Sequence, residues 1–242
     1  NNTWSAMPDS LPSGVDGKLA VNGTDLYVAP NVVSGRKVYK HTLSDTTSPW
    51  EVLTDTPGNI GQSSPGLQIT LDSTYVYVLH GGGSTTGVYR HVLSDTSSPW
   101  VTFASFPASV GNGGTGLAVD TQYVYVARGN NSQNVYRHDV STSTGSWDSF
   151  TAIGTSLSTG AGFKIDGSYM YAMPGTNSFL RHPLSDTSSA WTSFTSLPAS
   201  GSSGNIFVGV NSTSAYVMQH PSGGLTSTLY SHILSTTTGS WT

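Results

Sequence analysis

Five histidines occupy one position in a repeated segment, and histidine is the side chain best suited to bind metals or transfer protons near neutral pH. Each follows a tyrosine or leucine by two residues, a spacing that places both on one face of a strand. The five are His41, His91, His138, His182 and His232. A metal requires its ligands within one coordination shell, whereas separate repeats hold equivalent side chains apart. The sequence therefore predicts structural histidines that hydrogen-bond a neighbouring turn; one ligand site per repeat is the alternative.

The carboxylates are poorly placed for hydrolytic chemistry. Hydrolysis of a glycosidic bond usually requires two carboxyl groups that face each other across the substrate. The only glutamate, Glu51, follows Trp50, and Asp16 lies in a loop that leads into a strand. Three further aspartates stand at repeated turns: Asp72, Asp120 and Asp166. No pair is positioned for acid–base catalysis, so the sequence predicts a protein that is not an enzyme.

Polar side chains in the connecting loops are the candidate ligand-binding residues. These loops, "PGNIGQSSPG" and "RGNNSQN" among them, differ between repeats while the framework does not. Variable loops on a rigid framework often carry binding, and neutral amides and hydroxyls suit sugar hydroxyls better than phosphates or metals. The sequence predicts a sugar site without metal or cofactor from eight residues: Asn59, Gln62, His80, Asn112, Arg128, Asn131, Gln219 and His220.

One thirteen-residue segment recurs five times and organises the elements that must hold these residues. "VYRHVLSDTSSPW" ends at Trp100, and near or looser copies end at Trp50, Trp147, Trp191 and Trp241. In residues 64–107, "GLQITLD" and "GVYRHVL" alternate apolar and polar residues, "STYVYVLH" is β-branched and aromatic, and "WVTFASFP" carries aromatic residues. These patterns predict four short strands. An Asp or Asn five residues before a Tyr marks a tight hairpin in every copy.

Four antiparallel strands in each unit of about 45 residues predict the blade of a β-propeller. The predicted fold is all-β, a five-bladed β-propeller of four-stranded antiparallel blades in one domain over residues 1–242, with repeats at about 13–57, 58–107, 108–154, 155–198 and 199–242. Residues 1–12 resemble a fourth strand and are predicted to complete the last blade, which would remove exposed sheet edges. Trp4 and Trp241 then compete for one position. A redundant tail, a longer repeat array, or pairing of the tail with another copy would each explain the surplus tryptophan.

The turn "SDTSSPW" resembles the Asp-box of sialidases and related propellers, in which an aspartate precedes a tryptophan by five residues. The spacing recurs in three copies, at Asp45, Asp95 and Asp186, whereas Thr142 and Thr236 stand in the other two. The central glycine of the family pattern is absent from the aspartate-bearing copies. The resemblance implies a folding element at the outer corner of each blade and no particular activity. In size the chain is similar to small five-bladed propeller lectins.

A sialidase-like enzyme would also need three arginines around the carboxylate of its substrate. The basic residues before the repeated histidines are instead spread one per blade, at Lys40, Arg90, Arg137 and Arg181. The sequence therefore predicts that they do not converge at the axis of the propeller.

Composition limits the remaining possibilities. Charged residues are 9% of the chain, against roughly 25% in an average soluble domain. With a net charge of −4 and no basic stripe, nucleic-acid binding is disfavoured, and no apolar run reaches the roughly 20 residues of a membrane span. A composition rich in Ser, Thr, Gly and Asn and poor in charge is typical of an exported protein, in which the sequons at Asn1, Asn22, Asn130 and Asn211 would matter if the host glycosylates.

These observations predict a secreted, non-catalytic binding module that is lectin-like and binds glycans or glycoconjugates, with copies of itself as a further candidate partner. A structural or adhesive subunit of an extracellular assembly is the alternative, and a degenerate glycoside hydrolase is the third possibility.

Overall fold

The structure is a computed structural model that describes residues 11, 17–30, 35–45, 47–60, 66–80, 87–104, 106–108, 110, 115–157, 162–174, 177–198, 206–219 and 228–242. Strands, turns and loops account for all of these residues, and no membrane-spanning helix is found among them. The strands form five antiparallel sheets arranged as the blades of a β-propeller. The all-β, five-bladed architecture predicted from the repeats is therefore confirmed.

Each blade runs in simple sequence order from its first strand at the axis to its last strand outside. Blade 1 contains β1 (Gly17–Val21), β2 (Asp25–Pro30), β3 (Tyr39–Thr42) and β4 (Glu51–Val52). Blade 2 contains β5 (Gln68–Leu71), β6 (Tyr75–His80), β7 (Gly87–Val92) and β8 (Val101–Thr102). Blade 3 contains β9 (Gly116–Val119), β10 (Tyr123–Ala127), β11 (Val135–Asp139) and β12 (Asp148–Phe150). The first strands of successive blades contact one another around the axis.

The last two blades follow the same order. Blade 4 contains β13 (Gly162–Ile165), β14 (Tyr169–Met173), β15 (Leu180–Pro183) and β16 (Thr192–Ser193). Blade 5 contains β17 (Ile206–Val210), β18 (Ser214–Gln219) and β19 (Thr228–Ile233). Its fourth position is held by the end of the chain, because Thr242 and Ser231 exchange two backbone hydrogen bonds of 2.8 and 3.0 Å.

Trp241 occupies the tryptophan position of blade 5. Its indole Nε1 donates a 2.8 Å hydrogen bond to the carbonyl of Thr195 in blade 4, and its ring lies edge-on against Phe179. The position for which Trp4 and Trp241 were expected to compete is therefore filled by Trp241. The predicted closing strand, residues 1–12, lies almost entirely outside the described residues, so its role stays a prediction.

The outer corner of each blade is closed by a side chain that accepts hydrogen bonds from the turn. Asp95 Oδ1 accepts from the backbone N of Ser97 at 2.9 Å and from its hydroxyl at 2.6 Å, and Ser98 Oγ donates to Oδ2 at 2.8 Å. Together these bonds lower the pKa of Asp95 to about 2. Thr142 plays the same part with a hydroxyl, which accepts from the Thr144 backbone N at 3.1 Å. The recurring segment is thus a self-contained turn that satisfies its own backbone amides.

The core consists of apolar clusters between successive blades, because each sheet alternates side chains between two faces. We call the face that packs on the next blade in chain order the forward face, and the opposite one the rear face. In blade 2 the forward face carries Tyr77 and Val88, which pack on Leu117 of blade 3, and the rear face carries Ile69, which packs on blade 1. Four such clusters join blades 1 to 5.

The rear face of blade 1 and the forward face of blade 5 are exposed. At the equivalent positions of blade 2, Ile69 and Val88 are 5% and 1% exposed. On the two outermost faces the exposed fractions are 66% for Leu19, 51% for Val21, 58% for Leu229 and 62% for Ile233. No apolar cluster among the described residues joins blade 5 to blade 1.

Candidate functional site

The hairpin that joins the first two strands of a blade is built around one aspartate. In blade 2, Asp72 Oδ1 accepts hydrogen bonds from the backbone N of Thr74 at 2.6 Å and of Tyr75 at 2.7 Å. Its other oxygen, Oδ2, accepts from the Tyr77 hydroxyl at 2.7 Å. The same arrangement recurs at Asp120 with Tyr125 and at Asp166 with Tyr171. The Asp-to-Tyr spacing in the sequence thus reflects a bond that fixes the turn to its strand.

These tyrosines are held in their protonated form. Burial raises the pKa of Tyr77 far above its usual value near 10, and the hydrogen bond to Asp72 raises it further. In blade 1, where Asn22 replaces the aspartate, burial and then Asp25 and Glu51 raise the pKa of Tyr27 to about 12. None of these phenols is a base at neutral pH.

The arginines of blades 2 to 4, Arg90, Arg137 and Arg181, make their contacts within the framework. The guanidinium of Arg90 lies 4.5 Å from the ring centroid of Tyr75 and 5.0 Å from that of Phe103. Its Nη1 donates a short hydrogen bond to the carbonyl of Val140 in blade 3. Arg181 repeats this pattern with the carbonyl of Leu234 in blade 5. Arg137 stacks on Tyr123 in the same way. The prediction that these cations do not converge on one ligand is supported by their separate partners.

The repeated histidines are buried. His91 places Nε2 2.8 Å from the carbonyl of Ser98 and Nδ1 2.8 Å from that of Val92, and its ring packs against Trp100 with centroids 5.0 Å apart. His182 and His232 repeat both contacts. The predicted hydrogen-bonded role is confirmed, with the correction that the turn belongs to the same blade as the histidine. Within the part of the chain that the structure describes, no group of His, Asp or Glu side chains is arranged to hold a metal.

A cavity of about 620 Å³ opens where the hairpins of blades 2, 3 and 4 meet. Blade 2 contributes Ser73, Tyr75 and Arg90 to its wall, blade 3 contributes Thr121 and Ser141, and blade 4 contributes its hairpin turn. We call this cavity the turn pocket. Its volume lies within the range of about 300–1,000 Å³ that is typical of small-molecule sites. Asp72 and Asp120 also line it, each with both carboxylate oxygens engaged in the turns described above.

The eight residues predicted from the loops lie elsewhere or outside the described chain. Asn59 is exposed in the connection between blades 1 and 2, and His80 is buried at the end of β6 with 3% of its surface exposed. Arg128 and Asn131 lie in the loop after β10, where Asn131 has φ of 56° and its backbone N donates to the Leu157 carbonyl. Gln219 ends β18, and the three that fall outside the described residues are Gln62, Asn112 and His220.

The turn pocket and these loops lie at opposite ends of the strands. Tyr75 begins β6 at the pocket end, whereas His80 ends the same strand at the loop end. No predicted site residue with a described side chain lines the pocket. The structure therefore neither assembles nor excludes the loop site, and it adds a second candidate that the sequence did not reveal. The signal for it in the sequence is the Asp-to-Tyr spacing combined with an arginine, and both features also have a purely structural role in the turns.

No protein-family model and no curated protein sequence matches the chain. Among solved structures, that of YjhT matches with a TM-score of 0.68 and 15% identity, covering 98% of this chain and 85% of that one. A putative 6-phosphogluconolactonase from Bacteroides uniformis ATCC 8492 matches with a TM-score of 0.59 and 11% identity, covering 93% and 69%. The phage phi92 endosialidase matches with a TM-score of 0.47 and 14% identity, covering 65% and 30%.

At these identities the similarity shows the propeller fold alone. The endosialidase match is too low to carry an argument, so the Asp-box resemblance of the corner turns stays a prediction. Neighbours named as enzymes occur among these matches, and the function of this chain has to be argued from its own side chains.

Proposed function

We propose that this protein is a non-catalytic binding module and that the turn pocket takes a neutral, polyhydroxylated ligand of the carbohydrate class. The observation that supports this most is the lining of the pocket. Ser73, Thr121 and Ser141 line it together with Tyr75, whose ring carries the Arg90 guanidinium on one face. Hydroxyl groups that donate and accept, in one pocket with an aromatic side chain, complement the alternating polar and apolar surfaces of a sugar.

The charges of the pocket favour a neutral ligand over an anion. Asp72 and Asp120 would repel a phosphate or carboxylate, and Arg90 is already stacked on Tyr75 and bonded to the carbonyl of Val140. An anionic ligand would have to displace a hydrogen bond between two blades. A neutral polyol can instead share the remaining lone pairs of the two carboxylates at no cost in charge repulsion.

The same geometry argues against catalysis in the pocket. A general acid or base must reach the proton it transfers, and Asp72 and Asp120 each accept three hydrogen bonds from their own turns. Tyr77 has a raised pKa and donates to Asp72. Hydrolysis of a glycoside would require one of these groups to leave the turn that it holds together. The degenerate glycoside hydrolase is therefore the least favoured of the predicted functions.

A secreted location belongs to this proposal, since the hydroxyl-rich composition with few charges supports it, and glycan partners follow from the class of ligand proposed for the turn pocket. The loop site of Asn59 and Asn131 remains a second position for the same class of ligand.

The proposal is tested by a glycan array followed by titration of the protein with each sugar that binds. Thr121→Tyr places a bulky ring at the pocket wall, and Ser212→Tyr is its matched control at the equivalent turn position of blade 5. We expect sugar affinity to be lost in Thr121→Tyr and kept in Ser212→Tyr. If sugar affinity is kept in Thr121→Tyr and falls in Asn131→Ala, the sugar binds at the loop site and not in the turn pocket. Silence across diverse glycans would contradict carbohydrate binding, and turnover of a chromogenic glycoside would contradict the absence of catalysis.

A further inference from the structure

Each of the four described junctions between blades joins one forward face to one rear face through an apolar cluster. The preceding blade supplies an apolar residue that is almost fully buried and lies at the start of its third strand or directly before it: Val38, Val88, Val135 and Phe179. The first strand of the following blade supplies its counterpart: Ile69, Leu117 and Phe163 in blades 2 to 4. The chain therefore contains repeated examples of what covers each kind of face.

The two outermost faces carry apolar residues at the equivalent positions, but no neighbouring blade among the described residues covers them. Leu229 of blade 5 stands at the position of Val88, and Leu19 of blade 1 stands at the position of Ile69, yet each of the two leucines exposes more than half of its surface. Val21 and Ile233 extend the two apolar strips along their strands. Exposed apolar strips on the faces of sheets are typical of interaction sites.

The forward face of blade 5 also lacks the charge that the other forward faces carry. Ser231 stands where blades 2 to 4 have Arg90, Arg137 and Arg181. A partner that covers this face therefore has no guanidinium to desolvate. The strip formed by Leu229, Ser231 and Ile233 is neutral throughout, so its burial is driven by apolar contact alone.

We propose that a second copy of this chain covers these faces, with the forward face of blade 5 in one copy packed on the rear face of blade 1 in the other. The two faces are opposite halves of the junction that already occurs four times within the chain, so the contact continues an established interface. Because the two halves differ, the contact is head-to-tail, and it leads to closed rings or to open arrays. This inference is independent of the turn pocket, which lies between blades 2, 3 and 4.

Cysteine cross-linking tests the proposal cleanly, since the chain contains no cysteine. Leu19→Cys and Leu229→Cys proteins are prepared separately, mixed, and treated with a short bis-maleimide. We expect cross-linked dimers that contain one of each variant. Val101→Cys, an exposed apolar position on β8 away from both faces, is the matched control and should not cross-link with Leu229→Cys. The double variant Leu19→Cys/Leu229→Cys should form multimers; a cross-link confined to single chains would overturn the proposal in favour of closure within one molecule.

Sedimentation velocity at several protein concentrations measures the same contact without chemical cross-linking. We expect the wild-type protein to self-associate with rising concentration, and Leu19→Asp or Ile233→Asp each to weaken association by at least about tenfold. Val101→Asp should associate as the wild type does. Both target residues are exposed in the single chain, so the variants should fold, which circular dichroism verifies. A wild-type protein that stays monomeric at all concentrations, or that associates equally well with either aspartate, would refute the contact.

Discussion

Leu19 and Leu117 occupy the same position on the first strand of blades 1 and 3, and replacing each by alanine measures what covers it. Leu117 is 4% exposed and packs in the cluster between blades 2 and 3, whereas Leu19 is 66% exposed. Substitution of a buried leucine by alanine costs roughly 2.7–5 kcal/mol, because a cavity adds to the lost transfer free energy. For Leu117→Ala we expect a loss of about 3 kcal/mol in the free energy of unfolding.

For Leu19→Ala the expected loss is much smaller. About a third of the side-chain surface is in contact, so the lost transfer free energy is about a third of the roughly 2 kcal/mol for full burial, or about 0.7 kcal/mol. No cavity forms on an exposed face. The two substitutions should therefore differ by about 2 kcal/mol although they remove the same atoms from the same repeat position.

The measurement is urea unfolding followed by tryptophan fluorescence, at a dilution where sedimentation shows monomers. Equal losses for the two variants would refute the reasoning, since Leu19 would then be covered within a single chain. If copies associate through this face, the loss for Leu19→Ala should grow as protein concentration rises, while the loss for Leu117→Ala should not.

Three further predictions concern the framework. Trp100→Phe keeps a ring against His91 but removes the 2.7 Å bond from Nε1 to the Thr54 carbonyl, so it should lower the free energy of unfolding by about 1–3 kcal/mol in urea titrations. Asp95→Asn should lower stability at neutral pH, and the difference from wild type should vanish as the pH falls from about 4 to about 2, because the folded pKa of Asp95 lies below its unfolded value; a difference that stays constant with pH would contradict this. Burial and then Lys18 lower the pKa of Lys164 on β13, so its charge opposes folding at neutral pH. Lys164→Met should raise the melting temperature at pH 7, with the gain shrinking as the pH rises toward the unfolded pKa near 10.4.

Much of the fold could be predicted from the sequence because contacts between residues close in sequence determine the strands and turns of each blade. The alternation of "GLQITLD" and the Asp-to-Tyr spacing specify strands and a hairpin, and the structure shows the hydrogen bonds that Thr74 N and the Tyr77 hydroxyl donate to Asp72, which make the spacing necessary. The corner turn could be predicted for the same reason, since the Asp95 side chain accepts hydrogen bonds from residues two and three positions away. Such features depend on contacts within a few residues, which a pattern in one repeat records directly.

Relations between blades could not be predicted in the same way. The turn pocket arises where hairpins from three blades meet, and the hairpins of its wall look alike in the sequence. Trp4 and Trp241 stand in similar local sequences, and only the bonds of Trp241 and Thr242 in the folded chain decide which one fills blade 5. Leu19 is exposed because none of the described blades packs on it, and the sequence of its own repeat does not record which blade packs on which face.

Function in a repeat protein therefore has to be sought where the repetition is broken. The Asp–Tyr bond, the buried histidine and the corner turn recur because every blade needs them, and side chains used alike in several blades have little capacity left for a ligand. The departures are few among the described residues. Ser231 replaces an arginine on the forward face of blade 5, Lys164 stands where the other first strands carry alanine, threonine or glycine, and Thr121 faces a pocket that blade 5 does not share. A ligand or partner that distinguishes this propeller from any other has to contact such departures or the loops that differ between repeats, and substitutions at Thr121 or Ser231 should change binding while leaving stability nearly unchanged.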